Sequence, residues 1–215
     1  MTLVLHDYWR SGTSYRTRIA LNLKGVAYDR VTHDLRMGEQ SAADYLALQP
    51  QGLVPALEVR PGFVIPQSVA ILEWLEETYP EPPLLPRDPD ERALVRAMCA
   101  VIGSDIHPLN NLRVLKQLKD MGHKQDEIDG WARKWIVASF AALDRMIGTY
   151  GSSHASGATP TLADCYLVPQ VYSARRFGTD LSPYDNLMAA YDAAMAHPAV
   201  IAAHPDRQPD AVPSD

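Results

Sequence analysis

A polar, positively charged segment near the N-terminus is the part of this sequence best suited to chemistry. Residues 10–18 read Arg-Ser-Gly-Thr-Ser-Tyr-Arg-Thr-Arg, between an apolar run at residues 3–5 and an apolar run with helical spacing at residues 19–23. The pattern predicts a strand that enters a helix through this turn. Free backbone N–H groups and the positive end of the helix dipole collect at such a turn, which suits an anion or a thiolate.

The side chains of the turn add to this set of donors. They are hydroxyl and guanidinium groups, from Ser11, Thr13, Ser14, Arg10, Arg16 and Arg18. The hydroxyls can donate hydrogen bonds to a ligand, and the arginines add positive charge. The same residues also fit a plainer interpretation, in which they only make a well-capped first helix with Thr13 or Ser14 as its N-cap.

The composition limits the classes of protein to which the chain can belong. Its 215 residues allow one or two domains with a sizeable core, and 47% apolar and 21% charged residues are ordinary for a globular protein. The net charge of −6 argues against a nucleic-acid partner. Because no apolar run approaches the ~20 residues of a membrane span and the N-terminus does not resemble a signal peptide, we expect a cytoplasmic protein without a membrane partner.

The cysteines and histidines argue against a disulfide or a metal centre. Cys99 and Cys165 lie far apart in apolar company, so we expect buried packing residues in a reducing compartment. The histidines show no His-x-x-x-His spacing, and the chain has neither a Cys-x-x-Cys pair nor a glycine-rich phosphate loop. We therefore expect no metal site.

Residues 1–80 alternate between strand and helix patterns. We predict strands over residues 3–6, 28–33, 56–59 and 63–65, and helices over residues 14–24, 42–48 and 68–79. The resulting order, βαβαββα with a hairpin late in the unit, resembles the thioredoxin fold. In that fold the first strand–helix turn often carries a Cys-x-x-Cys pair, and its absence here argues against a dithiol redox role.

The remainder of the chain is predicted to be helical beyond a proline-rich linker. Helical patterns cover residues 92–119 (with a bend or break at Pro108), 124–150, a helix opened by a capping box at Thr161 and Asp164, and 186–196. The tail from His204 is rich in proline and is expected to be irregular. We thus predict an α/β thioredoxin-like domain over residues 1–80, a linker over 81–90 and an all-α domain over 91–215.

Several short motifs carry a family resemblance beyond this architecture. They are residues 8–16, 19–25, Val54-Pro55-Ala56-Leu57, Gln67-Ser68, 111–116, 163–170 and Arg207-Gln208-Pro209. Together with the architecture, they resemble the cytosolic glutathione transferases, and in particular the zeta class, the maleylacetoacetate and maleylpyruvate isomerases. The resemblance covers nearly the whole chain and implies glutathione as cofactor, a small-molecule substrate and a homodimer.

The resemblance also implies which residues bind glutathione. The implied set is Ser11, Gly12, Thr13, Gln40, Val54, Pro55, Gln67, Ser68, His107, Asn111 and Arg113. Pro55 is implied to be cis, so that the Val54 backbone can pair with the cysteinyl part. Ser68 opens the third helix, where hydroxyl and backbone donors suit the γ-glutamyl carboxylate. From the residues alone, a helix cap at Ser68, a core histidine at His107 and a surface glutamine at Gln40 remain open.

The implied reaction is a thiol-catalysed isomerisation. A glutathione thiolate adds to the cis double bond of the substrate, rotation follows, and elimination gives the trans isomer. Ser11 aligns with the family serine that stabilises the thiolate, whereas Thr13 stands where many zeta members carry cysteine and can share that role. Arginine suits both the substrate carboxylate and the developing enolate, which makes Arg10, Arg113 and Arg176 catalytic candidates.

Alternative functions differ in substrate or in kind. We expect an isomerase of maleylacetoacetate in aromatic amino-acid catabolism. Maleylpyruvate, from gentisate breakdown, is the alternative substrate, and conjugation or dehalogenation of small electrophiles is a rival activity. A binding module without activity would be expected to have lost Ser11, Gln67–Ser68 or the arginines, and the sequence retains them.

Overall fold

The computed structural model describes residues 2–212, which divide into two compact units. One unit comprises the residues up to Pro83 together with those from His197 onward, and the other comprises Leu84–Ala196. The division between Pro83 and Leu84 falls inside the predicted linker. The prediction that residues 91–215 form a single domain is wrong for its last segment, because the chain from His197 groups with the first unit.

The first unit is built on a mixed sheet with a thioredoxin-like strand order. Within residues 2–212 the sheet has four strands in the order β2-β1-β3-β4. Their bounds are β1 Leu3–Asp7, β2 Tyr28–Thr32, β3 Ala56–Arg60 and β4 Phe63–Pro66. β1 pairs in parallel with β2 and antiparallel with β3, and β3 and β4 form a hairpin. The parallel pair requires a crossover connection, which the first helix supplies.

The helices of this unit are arranged around a buried first helix. Their bounds are α1 Gly12–Leu23, α2 Ala43–Leu48, α3 Ser68–Thr78 and, from the end of the chain, α9 Pro198–Ala203. α1 packs against both α3 and α9. Asn22 of α1 donates to the carbonyl of Ala199 at 3.0 Å. Polar contacts of this kind, together with apolar burial, explain why the chain from His197 belongs to this unit.

A buried cluster of charges joins the strands of this unit to its last segment. Arg18 on α1 donates to Asp7 at 2.7 Å, and both side chains are 0% exposed. Arg30 on β2 binds Asp7 at 2.8 Å and Asp210 at 2.9 Å. Burial lowers the pKa of Arg18 below its ordinary value, and the charge and hydrogen bond of Asp7 offset only part of this shift. Removing one partner of such a pair typically costs about 3–5 kcal/mol, because the other charge is left buried and uncompensated.

The second unit is helical throughout. Its helices are α4 Pro89–Ala100, α5 Leu112–Asp120, α6 Gln125–Tyr150, α7 Leu162–Arg176 and α8 Asp185–Met195. The predicted long helix over residues 92–119 is interrupted by a π-helical segment, Val101–Ile106, and a 3₁₀ turn, His107–Asn110. The break coincides with Pro108, which has no N–H to continue the helical ladder.

Two further sequence predictions are confirmed in this unit. The N–H of Thr161 donates to Asp164 at 2.7 Å at the start of α7, which is one half of the predicted capping box. Cys99 and Cys165 are both buried thiols. In addition, no helix within residues 2–212 is long and apolar enough to span a membrane.

Candidate functional site

The polar turn of the first unit is capped by Ser11. Its Oγ accepts a hydrogen bond from the Ser14 N–H at 3.3 Å, so the predicted N-cap at Thr13 or Ser14 is wrong. Ser14 is instead buried, and its Oγ accepts from the Tyr8 N–H at 3.4 Å. Ser11, Gly12 and Thr13 remain half-buried. Because the first turn of α1 has no acidic residue, the positive end of the dipole is not neutralised there.

A chain of hydrogen bonds connects this cap to the loop before β3. Ser11 Oγ lies 3.0 Å from Thr13 Oγ1, and Thr13 Oγ1 donates to the Val54 carbonyl at 3.0 Å. A hydroxyl has a single proton, so the Thr13 oxygen must accept from Ser11 while it donates to Val54. The two hydroxyls therefore have distinct positions in the chain: Ser11 accepts from the Ser14 N–H and donates to Thr13, and Thr13 donates to the Val54 carbonyl.

The loop that carries Val54 is itself fixed. The Val54–Pro55 peptide bond is cis, as the family resemblance implied. Tyr45 Oη and Gln49 Nε2 both donate to the Leu53 carbonyl, at 2.6 Å and 2.9 Å. Val54 also packs in a buried cluster with Tyr8, Trp9 and Tyr45. The backbone on the Val54 side of the site is thus held by both apolar packing and hydrogen bonds.

The start of α3 forms the second polar element. Ser68 is the first helical residue and is buried, and the N-cap is Gln67, which gives the helix no side-chain hydrogen bond. The alternative that Ser68 is only a helix cap is therefore wrong. Arg16 Nη1 donates to Ser68 Oγ at 3.2 Å. Since Ser68 Oγ accepts from Arg16, its own proton can be donated to an anion at the helix N-terminus.

Backbone strain marks the same place. Gln67 has φ 69°, in the region that favours glycine, and it is the non-glycine residue with positive φ in the part of the chain that the structure describes. Residues held in such conformations cost about 1–3 kcal/mol and cluster at ligand sites. Gln67 Nε2 donates to Gln51 Oε1 at 2.7 Å, which connects the start of α3 to the loop before Val54.

These residues fit glutathione by the chemistry of their donors. The start of α1 offers hydroxyl and N–H donors for a thiolate, and the start of α3 offers the same for a carboxylate. Gln40 adds a buried side-chain oxygen that lacks a hydrogen-bond partner within residues 2–212. The backbone carbonyl of Gln40 lies close to Gly52. A Cβ added at Gly52 would be 3.0 Å from the Gln40 carbonyl oxygen. An elongated peptide with a thiol and a γ-glutamyl carboxylate matches this donor set.

The arginines of the turn have different roles from those predicted. Arg16 and Arg18 are 2% and 0% exposed, and they bind Ser68 and Asp7 inside the unit. The expectation that both add positive charge to the turn is therefore wrong for Arg18, whose charge is paired with Asp7. Arg16 donates a hydrogen bond to Ser68, at the start of α3. Only Arg10 among the three is half-buried, with its Cζ 5.4 Å from the centre of the Trp9 ring.

The other predicted residues lie in the second unit. Asn111 is the N-cap of α5, and its Oδ1 accepts from the Arg113 N–H at 3.1 Å. His107 begins the 3₁₀ turn that precedes it. Arg113 is exposed, and so is Arg176, the last residue of α7. The cap brings Asn111 and Arg113 together.

Sequence reasoning missed the residues that hold the site from behind. Tyr45, Gln49 and Gln51 fix the loop before Val54, and Asp7 and Asp210 anchor the charges beneath the turn. A signal was present for Asp7, a carboxylate at the end of an apolar strand, where an isolated charge would be costly. No comparable signal marked the others, because their partners are remote in sequence.

Comparisons with known proteins agree with this geometry. Residues 10–78 match the family model of the glutathione S-transferase N-terminal domain. The chain is 50% identical to a maleylpyruvate isomerase of Ralstonia sp over 210 residues, which is 96% of this chain and 98% of that protein. It is also similar to a structure described as the holo form of maleylpyruvate isomerase, a bacterial zeta-class enzyme, with 48% identity, a TM-score of 0.95 and coverage of 97% and 100%.

A further solved structure relates the chain to the other isomerase. It is a maleylacetoacetate isomerase from Anaeromyxobacter dehalogenans 2CP-1 with bound GSH in the active site. Identity is 45%, the TM-score is 0.89, and 98% of each chain is covered. The likenesses thus extend over both units and include proteins described by either substrate.

The contacts of Ser68 predict a loss of glutathione affinity when its hydroxyl is removed. Losing a hydrogen bond to a charged group costs about 1.5–3 kcal/mol, so Ser68→Ala is expected to weaken binding roughly ten- to two-hundredfold. Titration calorimetry with glutathione measures this directly. Ser152→Ala, at an exposed position in the second unit, is the matched control and should bind as the native protein does. Unchanged affinity in folded Ser68→Ala would contradict the assignment.

Proposed function

Because the chain belongs to the zeta class of the glutathione transferases, we propose that it is a glutathione-dependent cis–trans isomerase of maleylacetoacetate, with maleylpyruvate as the alternative substrate. The observation that carries the proposal is the pair of hydroxyls at the start of α1, joined through Thr13 to the Val54 carbonyl. Cytoplasmic location, a homodimeric state and a place in aromatic catabolism belong to the same proposal.

The two substrates require the same chemistry. Glutathione supplies a thiolate that adds to the cis double bond, allows rotation about the resulting single bond and leaves again as the trans isomer forms. The protein must keep the sulfur ionised near neutral pH, although a free thiol has a pKa of ~8.5. It must also hold the substrate carboxylate and stabilise the negative charge that develops on the substrate oxygen.

Ser11 is proposed as the main hydrogen-bond donor to the sulfur. Its proton faces Thr13 in the chain of hydroxyls and can turn to the sulfur by rotation about one bond. Thr13 could donate only by releasing the Val54 carbonyl. We therefore assign thiolate stabilisation to Ser11. Thr13 is assigned the task of holding Ser11 and the Val54 loop in fixed positions.

The substrate is proposed to bind through Arg10, Arg113 and Arg176. Arg10 extends from the active turn over the Trp9 ring, and the other two are exposed side chains of the second unit. Arg175, the neighbour of Arg176, donates to the Tyr191 hydroxyl at 3.0 Å. Gln40, His107 and Asn111 are proposed to contact glutathione, as the family resemblance implies.

Rival activities share this site and differ in the electrophile. A transferase that conjugates or dehalogenates small electrophiles needs the same thiolate but not the same set of fixed cations. An inactive binding module needs neither, and the hydroxyl chain at Ser11 would then have no task. The isomerase accounts for both the thiolate site and the arginines.

The isomerase should require glutathione and discriminate between the two maleyl substrates. Purified protein is expected to convert cis to trans isomer only when glutathione is present, because its own cysteines are buried. Product analysis for maleylacetoacetate and maleylpyruvate, with and without glutathione, gives kcat/KM for each. Undiminished turnover without any thiol would refute thiol catalysis. A higher kcat/KM for maleylpyruvate would make maleylpyruvate the preferred substrate and maleylacetoacetate the alternative.

The hydroxyl chain predicts unequal effects at its two members. Ser11→Ala is expected to raise the pKa of bound glutathione more than Thr13→Val, since only the first removes the proposed donor. The measurement is thiolate absorbance of the binary complex against pH. Thr149→Val, at an exposed site in α6, is the control. A larger rise for Thr13→Val would exchange the two roles.

Removal of the Arg176 guanidinium should affect charged substrates selectively. Arg176→Met retains much of the stem and loses a charged hydrogen bond worth about 1.5–3 kcal/mol, or roughly ten- to two-hundredfold in kcat/KM. Conjugation of a neutral aryl halide should change little. Arg175→Met is the matched control. Equal losses on both reactions would assign Arg176 to glutathione or to the fold.

A further inference from the structure

The last described segment of the chain is well anchored despite its irregular backbone. After α9 it makes a 3₁₀ turn, Pro205–Arg207. Gln208 is buried, and its Nε2 donates to the carbonyls of Ala202 and His204 at 3.0 Å and 2.8 Å. The predicted function gives the Arg-Gln-Pro motif of this tail no task. Its contacts show that it fixes the direction of the chain that follows.

That direction brings Asp210 to the active turn. Asp210 Oδ2 accepts from the Trp9 N–H at 3.0 Å, and Oδ1 accepts from Arg30 Nη2 at 2.9 Å. Ala211 packs against the buried cluster that includes Trp9 and Val54. The tail thus contacts the turn within two residues of Ser11, although the two are about two hundred positions apart in sequence.

The Trp9 peptide is held from its other side as well. Arg18 Nη2 donates to the Trp9 carbonyl at 2.8 Å, and the Ser11 N–H donates to the Tyr8 carbonyl at 3.0 Å. The N–H and the carbonyl of Trp9 are therefore both fixed by charged side chains. The Trp9 ring in turn lies under Arg10. A displacement of this residue would move both the sulfur donor and a proposed substrate cation.

We propose that Asp210 is a positioning residue for the active turn, holding Trp9 so that Ser11 and Arg10 meet glutathione and substrate in the productive geometry. The inference rests on the proposed function in taking Ser11 as the partner of the sulfur and Arg10 as a substrate cation. It adds a positioning contact from the C-terminal tail to the active turn.

Asp210 can be changed without dismantling the core beneath it. Its ion pair with Arg30 is partly exposed, at 19% and 15% for the two side chains, whereas the Asp7–Arg18 pair is fully buried. Arg30 keeps Asp7 as a partner when Asp210 is removed. The fully buried Asp7–Arg18 pair stays intact, so the variants are expected to fold, with loss of the hydrogen bond from the Trp9 N–H as the main cost in stability.

The test is the pKa of the thiol in the binary complex, read from thiolate absorbance against pH. Asp210→Ala is expected to raise it by about one pH unit and to lower kcat roughly tenfold or more, because the helix N-terminus no longer presents Ser11 correctly. Asp210→Asn keeps an oxygen for the Trp9 N–H and should show the smaller change. Asp206→Ala, an exposed carboxylate of the same tail, is the control.

The readouts separate positioning from structural support and from the proposed function. A lower melting temperature with an unchanged thiol pKa in both Asp210 variants would overturn the inference. Should Asp210→Ala fail to fold, Asp210→Asn and Asp210→Glu carry the same test, since Glu retains the charge but places the carboxylate one methylene further from its backbone. A shifted thiol pKa in a protein that isomerises neither maleyl substrate would uphold the positioning role and refute only the reaction.

Discussion

The rest of the site depends on the hydrogen bonds that the Arg18 guanidinium donates. This guanidinium is fully buried, and it binds a carboxylate at the end of β1, the carbonyl of Trp9 in the active turn and the carbonyl of Ala203 at the end of α9. Few other groups can satisfy three acceptors from three segments, because only the planar fork of arginine offers so many fixed donors. The buried charge is tolerated because each donor face finds an acceptor. Strand, turn and C-terminal helix are thereby fixed relative to one another.

This arrangement explains why a turn so rich in arginine is not simply a positive patch. α1 packs against α3 and α9, and its residues 14–21 are buried, so the arginines that follow its first turn lie inside the unit. Arg16 stabilises Ser68, and Arg18 stabilises the backbone of the turn. The proposed anion binding therefore relies on hydroxyls and helix N-termini whose positions the arginines secure.

Much of the fold was predictable from local pattern, whereas the support of the site was not. The strand and helix order of residues 1–80 follows from periodicity, and the interruption at Pro108 follows from a missing N–H. The N-cap was misplaced by two or three positions, because several hydroxyl residues in succession can each cap a helix and only the backbone decides among them. The return of the tail to the first unit rests on contacts between residues such as Trp9 and Asp210, which no sequence window can contain.

Thr13 stands where many members of the zeta class carry cysteine, and its hydroxyl has a structural role of its own. Its hydroxyl connects the start of α1 to the loop before Pro55, so the element proposed to bind the sulfur and the element proposed to pair with the cysteinyl backbone are linked directly. The link between Arg16 and Ser68 does the same for α1 and α3. Glutathione is therefore proposed to meet a frame that is assembled before it binds, which lowers the entropic cost of ordering the site. A cysteine thiol is a weaker hydrogen-bond donor than a hydroxyl and would hold the Val54 loop less firmly.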